Sequence, residues 1–354
     1  MSVASACDCL VIGAGIAGLS AAAELARAGL RTLLLEKSRG IGGRMATRRV
    51  AAAVCDHGAQ FFTVRSRAFG TIVAEADAAG AIAAWCDGFS QAEGPDAVLA
   101  APGDGHPRWR GRQGMTDLPK MLAASLPADL VQIRTQARAV SVAVEGGGVR
   151  VVLAAAQGEA PEALTARGLI LTCPVPQGIE LLAAGEALAT LDADALETLR
   201  RVDYDPCFAL MLVLDRPSQV PPPGGIQFAA GAISWIGDNH QKGISPVPAL
   251  TIHAAGDWSR ARFDADQAHV AAELEMLAAR WIGPAIVLER SLQRWKFAQP
   301  TVIVPAPMVV PSHAPPIACC GDAFKGPRVE GAACSGLAAG RWMGKFLCGA
   351  SGSV

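Results

Sequence analysis

Three groups of residues in this 354-residue chain have the types and spacings needed to grip phosphates and sugar hydroxyls. Gly13-Ala14-Gly15-Ile16-Ala17-Gly18 carries a GxGxxG spacing, in which Gly13 permits a tight turn, Gly15 lets a pyrophosphate come close, and Gly18 lets a helix pack on its strand. Glu36, followed by Lys37, stands about 20 residues further on, where an acid holds ribose hydroxyls. Gly42-Gly43-Arg44-Met45 then offers two glycines and a fixed cation, and a guanidinium pairs two phosphate oxygens at once. Towards the other end, Gly321-Asp322 and the run Val329-Glu330-Gly331-Ala332 place an acid after a short apolar segment and small residues at a helix start. A strand-end aspartate binds ribityl hydroxyls, and a helix N-terminus aimed at a flavin pyrimidine stabilises negative charge there. The three groups point to FAD rather than NAD as the fixed cofactor.

Positioning these residues requires a βαβ unit. Leu10 to Ile12 reads as a strand ending at Gly13, an Ala-rich helix runs to Gly29 as its C′ residue, and Arg31 to Leu35 reads as a second strand ending at Glu36. Val131–Val144 and Val149–Leu153 are β-rich segments either side of Gly146-Gly147-Gly148, a hairpin signal. Leu169 to Thr172 is a buried strand stopped by Cys173-Pro174, and Ile317 to Cys320 is another that leads into Gly321. Between them, Leu181 to Leu199 is helical in composition, strands are expected at Ala209–Leu214, Gly231–Ile236 and Ala249–Ala254, and Asp266 caps a helix with Val270, Leu274, Leu277 and Trp281 on one face. The fold class is therefore α/β, a Rossmann-like FAD-binding domain with an inserted α+β substrate domain. Residues 1–65, 107–175 and 300–354 are expected in the first, and 66–106 and 176–299 in the second.

Composition narrows the function classes. A hydrophobic content of 51% is ample for a buried core, and 31 Lys+Arg against 32 Asp+Glu, with no basic tract interleaved with aromatics, argues against a nucleic-acid partner. The prolines between Phe297 and Gly321 exclude a spanning helix there, and the start MSVASACDCL shows no secretory signal. Ten scattered cysteines without a CxxC pair read as buried free thiols of a reducing cytoplasm, so no metal site and no disulfide is expected from Cys7-Asp8-Cys9 or Cys319-Cys320. No Ser-His-Asp or Cys-His arrangement and no carboxylate pair demands acid–base work.

The blocks GAGIAGLSAA, EKSRGIGGRMAT, DHGAQFFTVRSRAF (56–69), RWRGRQGMTDL (108–118), TIHAAGDWSR (251–260), RWKFAQP (294–300) and CCGDAFKGPRVEGAACSGLAAGRW (319–342) resemble the bacterial renalase-like flavoproteins, within the wider amine-oxidase-like (GR2) FAD fold. The resemblance implies that FAD is held by Gly13, Gly15, Ile16, Ala17, Gly18, Glu36, Lys37, Gly43, Arg44, Met45, Gly321, Asp322 and the helix start Val329, Glu330, Gly331 and Ala332. It also implies backbone contacts from Ala137 to adenine, and passage of Gly58-Ala59-Gln60-Phe61 beside the isoalloxazine. By the same resemblance Gly114-Met115 lines that pocket, Trp295 closes it, and His253, Asn239 and Gln60 are its polar residues. The implied chemistry is oxidation of 2- or 6-dihydro isomers of NAD(P), hydride passing to flavin N5 and electrons to O₂, giving β-NAD(P)⁺ and H₂O₂. Such a donor becomes aromatic on oxidation and needs orientation more than a base. An amine oxidase or desaturase of the same fold is the alternative, weakened by the presence of one tyrosine, Tyr204, where amine oxidases commonly flank the amine with aromatic rings. A flavin-binding protein without turnover is the third reading. Partners are thus a small dinucleotide or amine and O₂, with the oligomeric state left open.

Overall fold

A computed structural model describes residues 7–94, 107–155 and 160–349. Residues 1–6, which open the segment read for a secretory signal, and 95–106, within the expected substrate domain, lie outside the described residues. The chain divides into two compact units, one of residues 1–43, 122–203 and 300–354, the other of residues 44–121 and 204–299. Segments 44–65 and 107–121 thus fall in the second unit and 176–203 in the first, which differs from the boundaries expected from sequence. The physical reason lies in where their apolar faces go. The hairpin of Thr47–Val50 and Ala53–Asp56 buries Val50, Ala53 and Cys55 against Met211, Val213 and Ala249. The turn after helix Val175–Ala184 is fitted to strand Ala139–Glu145 so closely that a Cβ on Gly185 would lie 2.0 Å from the Val142 carbonyl oxygen.

In the first unit, strands Pro316–Cys319, Ala163–Leu171, Cys7–Ile12, Thr32–Leu35 and Val131–Arg134 lie side by side and parallel, and Val309–His313 adds an antiparallel edge. Their near-continuous apolar runs are what a sheet covered on both faces requires. Helix Ile16–Arg27 packs along the C-terminal helix Val329–Gly349, where Gly336 and Gly340 let the backbones meet at Ala17 and Ala21. Gly146 and Gly147, at φ +57° and +77°, turn the hairpin of Ala139–Glu145 and Gly148–Leu153. The stretch from Leu181 to Leu199, helical in composition, is helical in three pieces. Helix Val175–Ala184 ends at Gly185, a 3-10 turn spans Ala187–Thr190, and Asp192 caps a new helix, Ala193–Arg200, by accepting from Ala195 N–H. Asp192 and the left-handed Glu186 (φ +57°) outweigh the helical composition.

The second unit is built on a six-stranded sheet ordered Val287–Val302, Asp203–Leu214, Ala249–Ala254, Ile233–Asp238, Gly225–Phe228 and Ser90–Ala92. Alternation decides its two faces. Phe208, Leu210, Leu212, Leu250, Ile252, Ala254 and Ile236 point to one side and form a core with Val270, Leu274 and Trp281 of helices Gln267–Leu277 and Ala279–Ile282. Asp266 caps the first of these, as expected, by accepting from His269 N–H. The intervening residues, Met211, Val213, Ala249, Thr251, His253 and Trp235, face the other side. That second face carries the polar residues.

All ten cysteines are free; Cys9, Cys55, Cys319 and Cys320 are buried, whereas Cys348 is exposed, against the expectation that all are buried. Among the described residues no helix is long and apolar enough to cross a membrane.

Candidate functional site

The first unit gathers its predicted site residues at the carboxyl ends of its parallel strands, the position where open α/β sheets bind ligands. Gly13 (φ +108°) follows Cys7–Ile12, and its N–H donates to the Leu35 carbonyl (2.8 Å). A Cβ on Gly13 would lie 2.5 Å from Thr172 Oγ1, which itself donates to the Ile12 and Gly13 carbonyls. A Cβ on Gly18 would lie 1.9 Å from the Gly13 oxygen, so this glycine is demanded by the protein's own packing. Gly15 differs. Nothing lies within 4 Å of a Cβ placed there, and Gly15 opens helix Ile16–Arg27 as its N-cap without a side-chain cap, so open space stands before unpaired helix N–H groups. Gly42 and Gly43 fold over the same turn: Gly42 N–H donates to the Ala14 carbonyl (2.9 Å), and the Gly43 Cβ position is 3.5 Å from Gly15 Cα.

Glu36, buried after Thr32–Leu35, accepts from Ala14 N–H (3.0 Å) on Oε2 and from Ser38 N–H (2.8 Å) on Oε1. Each oxygen keeps a further lone pair for a hydroxyl. Lys37 is exposed, its Nζ 3.5 Å from Gln177 Oε1. Ala137 N–H donates to the Glu36 carbonyl (2.9 Å), which commits that amide and leaves the position's carbonyl for any partner. Gly321 (φ +139°) donates to Ser335 Oγ (2.9 Å), and Asp322 follows it, partly exposed. Val329 is the first residue of the C-terminal helix, with Glu330 in the first turn, and a Cβ on Gly331 would lie 2.2 Å from the Gly326 oxygen. These residues fit a dinucleotide. Glycines shape an open cradle at one helix N-terminus, with an acid at each of two strand ends.

The second unit brings Gln60, Asn239 and His253 together around a buried ion pair that the sequence did not announce. Lys242 Nζ lies 2.5 Å from Asp56 Oδ2 and 2.6 Å from the Gln60 carbonyl oxygen, with Lys242 2% and Asp56 0% exposed. Asp56 Oδ1 accepts from Thr47 Oγ1 (2.5 Å) and from Met115 N–H (2.8 Å), tying in the Gly114-Met115 loop. Asn239 spans from Asp56 N–H, which donates to its Oδ1 (3.3 Å), to Thr251 Oγ1, to which its Nδ2 donates (2.9 Å). Gln60 Nε2 donates to the Asp56 (2.7 Å) and Gly58 (3.1 Å) carbonyls and lies 3.4 Å from His253 Nε2. Gly58 is required as glycine, since a Cβ there would lie 2.0 Å from the Arg44 carbonyl oxygen, which also accepts from Ala59 N–H.

Charge states follow from this packing. Burial, reinforced by the Arg48 charge and opposed by Asp56, pushes His57 down to about 4. Burial, with His57 and Lys242 adding to it, pushes His253 down to about 4 as well. Both rings are therefore neutral at pH 7. Burial also lowers Lys242 from its ordinary value, while its contact with Asp56 favours the charged form.

The remaining predicted residues are placed as follows. Arg44 Nη1 lies 3.3 Å from each of the Phe297 and Ala298 carbonyls, and the guanidinium stands over the Tyr204 ring at 5.8 Å. Tyr204 itself is buried against Phe297. Met45 is buried, its carbonyl accepting from Thr116 Oγ1 (3.1 Å). Trp295 stacks on His57 with ring centroids 5.3 Å apart and donates to the His57 carbonyl (2.8 Å). Phe61 joins Phe89 and Trp235 in an aromatic group with Trp85, over whose ring Lys242 Nζ lies at 5.0 Å. Sequence reasoning singled out neither Asp56 nor Lys242. A polar pair buried in apolar surroundings has no periodic signature when its members are 186 residues apart.

Comparison with known proteins places the fold. A profile of NAD(P)-binding Rossmann-like domains matches residues 11–75, and one of flavin-containing amine oxidoreductases matches residues 65–341. Over 54 residues the chain is 48% identical to the Mycobacterium tuberculosis protein named "Putative flavin-containing monoamine oxidase AofH", a match covering 15% of this chain and 12% of that one. The chain thus spans about an eighth of the length of the curated relatives it matches. Among solved structures, cyclohexylamine oxidase from Brevibacterium oxydans superposes with a TM-score of 0.69 at 13% identity, covering 97% of this chain and 100% of that one. Putrescine oxidase bound to putrescine superposes with a TM-score of 0.65 at 13% identity, covering 98% and 99%. Those two likenesses concern the fold. The oxidoreductase profile covers most of the sequence, and so the chain belongs to the flavin-containing amine oxidoreductases, with FAD as its cofactor.

Proposed function

We propose that the chain is a renalase-like oxidase of 2- or 6-dihydro isomers of NAD(P), in which donor, O₂ and one proton give β-NAD(P)⁺ and H₂O₂. FAD, when bound, supplies the hydride acceptor and passes electrons to O₂. In this reading the Gly13–Gly18 turn, Gly43, Glu36, Asp322 and the start of helix Val329–Gly349 hold it, and Gln60, Asn239 and His253 orient the donor.

The observation that carries the reading is the charge state of the polar cluster. Its carboxylate, Asp56, is already bonded to Lys242, Thr47 and Met115, both histidines are neutral, and Arg48 and Lys242 make the local field positive. Such a cluster is poorly suited to hold an ammonium group, and its two neutral imidazoles, at about 4, are weak bases near pH 7. A dihydropyridine asks for neither, because losing hydride makes it aromatic and orientation is the main requirement.

Family membership favours a second reading, oxidation of an amine. Anaerobic mixing of the yellow protein with 2- or 6-dihydro-NAD, ordinary β-NADH and a panel of amines, followed by flavin absorbance, separates the two. Rapid bleaching by the dihydropyridine isomers is expected. Bleaching by an amine with none by the isomers overturns the proposal, and no bleaching by any donor supports flavin binding without turnover.

The cradle has its own test. Gly15→Ala adds a Cβ with nothing within 4 Å of it and Gly15 has an extended backbone (φ −79°, ψ −178°), so the variant should fold with wild-type circular dichroism. FAD content should nevertheless drop, the affinity falling roughly tenfold or more for a loss of about 1.4 kcal/mol. Full FAD retention in that variant would remove Gly15 from the phosphate site.

A further inference from the structure

We propose that two hydroxyls outside the glycine fingerprint, those of Thr172 and Ser335, are the positioning groups of the FAD cradle, each locking one glycine turn in its binding conformation. The inference rests on the cradle assigned above to FAD and stands whichever donor the enzyme oxidises.

A diphosphate is anionic and accepts hydrogen bonds, so a turn that holds it must present N–H groups and keep its carbonyl oxygens occupied elsewhere. The four carbonyls from Ile12 to Gly15 each have a donor. Gly42 N–H serves Ala14 (2.9 Å) and Leu19 N–H serves Gly15 (3.0 Å). Ile12 and Gly13 are served by Thr172. Its N–H donates to the Ile12 oxygen (3.0 Å), and its Oγ1 lies 2.9 Å from that oxygen and 3.1 Å from the Gly13 oxygen. A hydroxyl carries one proton, and Ile12 already has the amide, so the O–H is left for Gly13.

Register puts the hydroxyl there. Ile12 pairs with Leu171 on the parallel neighbour, and Thr172 is the next residue. Its Oγ1 stands where strand, turn and helix meet, 2.5 Å from a Cβ built on Gly13 and 3.2 Å from one built on Gly18. Two of the fingerprint glycines are therefore fitted around this one oxygen.

Ser335 does the same at another strand end. It is buried on helix Val329–Gly349, accepts from Gly321 N–H (2.9 Å) and donates to the Pro307 carbonyl (2.6 Å). The turn ahead of Asp322 is thereby tied to the helix and to the loop before Val309–His313. Gly321 has φ +139°, a conformation with many alternatives for a glycine, so fixing it removes freedom that FAD binding would otherwise have to remove.

Holoprotein variants Thr172→Val, Thr172→Ser and Ser335→Ala test this. The readouts are the FAD dissociation constant by equilibrium dialysis, and, in one thermal scan, the temperature of flavin release beside that of unfolding by circular dichroism. Thr172→Val sets a methyl against two carbonyl oxygens, and FAD affinity should fall roughly tenfold, with flavin leaving below the unfolding transition. Thr172→Ser should stay within about threefold of wild type, because it keeps the O–H. Ser335→Ala should weaken FAD roughly 5- to 10-fold. A merely structural hydroxyl would lower both temperatures together and leave the dissociation constant unchanged, and that result overturns the proposal for the residue that shows it. Should Thr172→Val fail to fold, Thr172→Ala, which introduces no clash, decides in its place. Gly15→Ala, measured alongside, separates the two levels of the argument. Weaker FAD in Gly15→Ala with none of the hydroxyl variants affected overturns the hydroxyls alone, whereas wild-type affinity in all of them overturns the cradle as well.

Discussion

Lys242→Met is expected to destabilise the protein by about 3–5 kcal/mol, the usual cost of stripping one partner from a buried ion pair. The magnitude follows from what is left behind. Asp56 is 0% exposed and would lose the cation at Oδ2, while the Gln60 carbonyl would lose its donor at 2.6 Å. Neither group can be rehydrated without opening the packing of Thr47–Asp56 against the sheet. The double variant Lys242→Met/Asp56→Asn should recover more than half of the loss, because it removes the stranded charge and keeps an Oδ1 acceptor for Met115 N–H and Thr47 Oγ1. Urea unfolding of wild type, single and double variants measures this. A single variant as stable as wild type would mean that the pair is solvated in solution, and a double variant no better than the single would place the cost in the lost ammonium contacts with the Trp85 ring and the Gln60 carbonyl.

That pair marks the limit of what the sequence shows. Gly13, Gly18 and Glu36 are legible because backbone geometry dictates residue type within a short stretch, so a Cβ clash or a strand-end acid leaves a mark at fixed spacing. The sheet face carrying His253 is half legible. Ala249-Leu250-Thr251-Ile252-His253-Ala254 alternates, and Thr251 and His253 stand out as polar residues in an apolar strand. What they meet is not legible, since Asp56, Gln60 and Asn239 arrive from other segments. Arg44 shows the same limit from the other side. Its spacing after Gly42-Gly43 suggests a phosphate partner, yet Nη1 is directed at the Phe297 and Ala298 carbonyls, some 250 residues away in sequence. The helical composition of Leu181 to Leu199 is legible but its breaks are not, because the cap that Asp192 provides is a local feature that composition averages away.

Stability should fall steeply on acidification between about pH 6.5 and pH 4, and the two histidines should account for it. Both His57 and His253 are pushed down to about 4 in the folded protein, against 6.5 ordinarily. Between those values the unfolded chain binds protons that the folded chain refuses, so unfolding becomes easier as pH falls and the effect levels off below about pH 4. Each ring contributes at most about 3 kcal/mol across that window. Arg48 and Lys242 deepen the effect by opposing a positive ring, and Asp56 moderates it at His57. His57→Phe preserves a ring against Trp295 and removes a buried Nδ1 that has no partner, so it should leave stability at pH 7.5 close to wild type and flatten the acid limb. Thermal melting across pH 4.5 to 7.5 checks the claim, and an acid limb unchanged in that variant would assign it to other groups. The same neutrality bears on the reaction. With His253 held at about 4, the anaerobic rate of flavin reduction should be flat from about pH 5.5 to 8, and a kinetic pKa near 6.5 in that profile would show that the ring is not held down in the working enzyme.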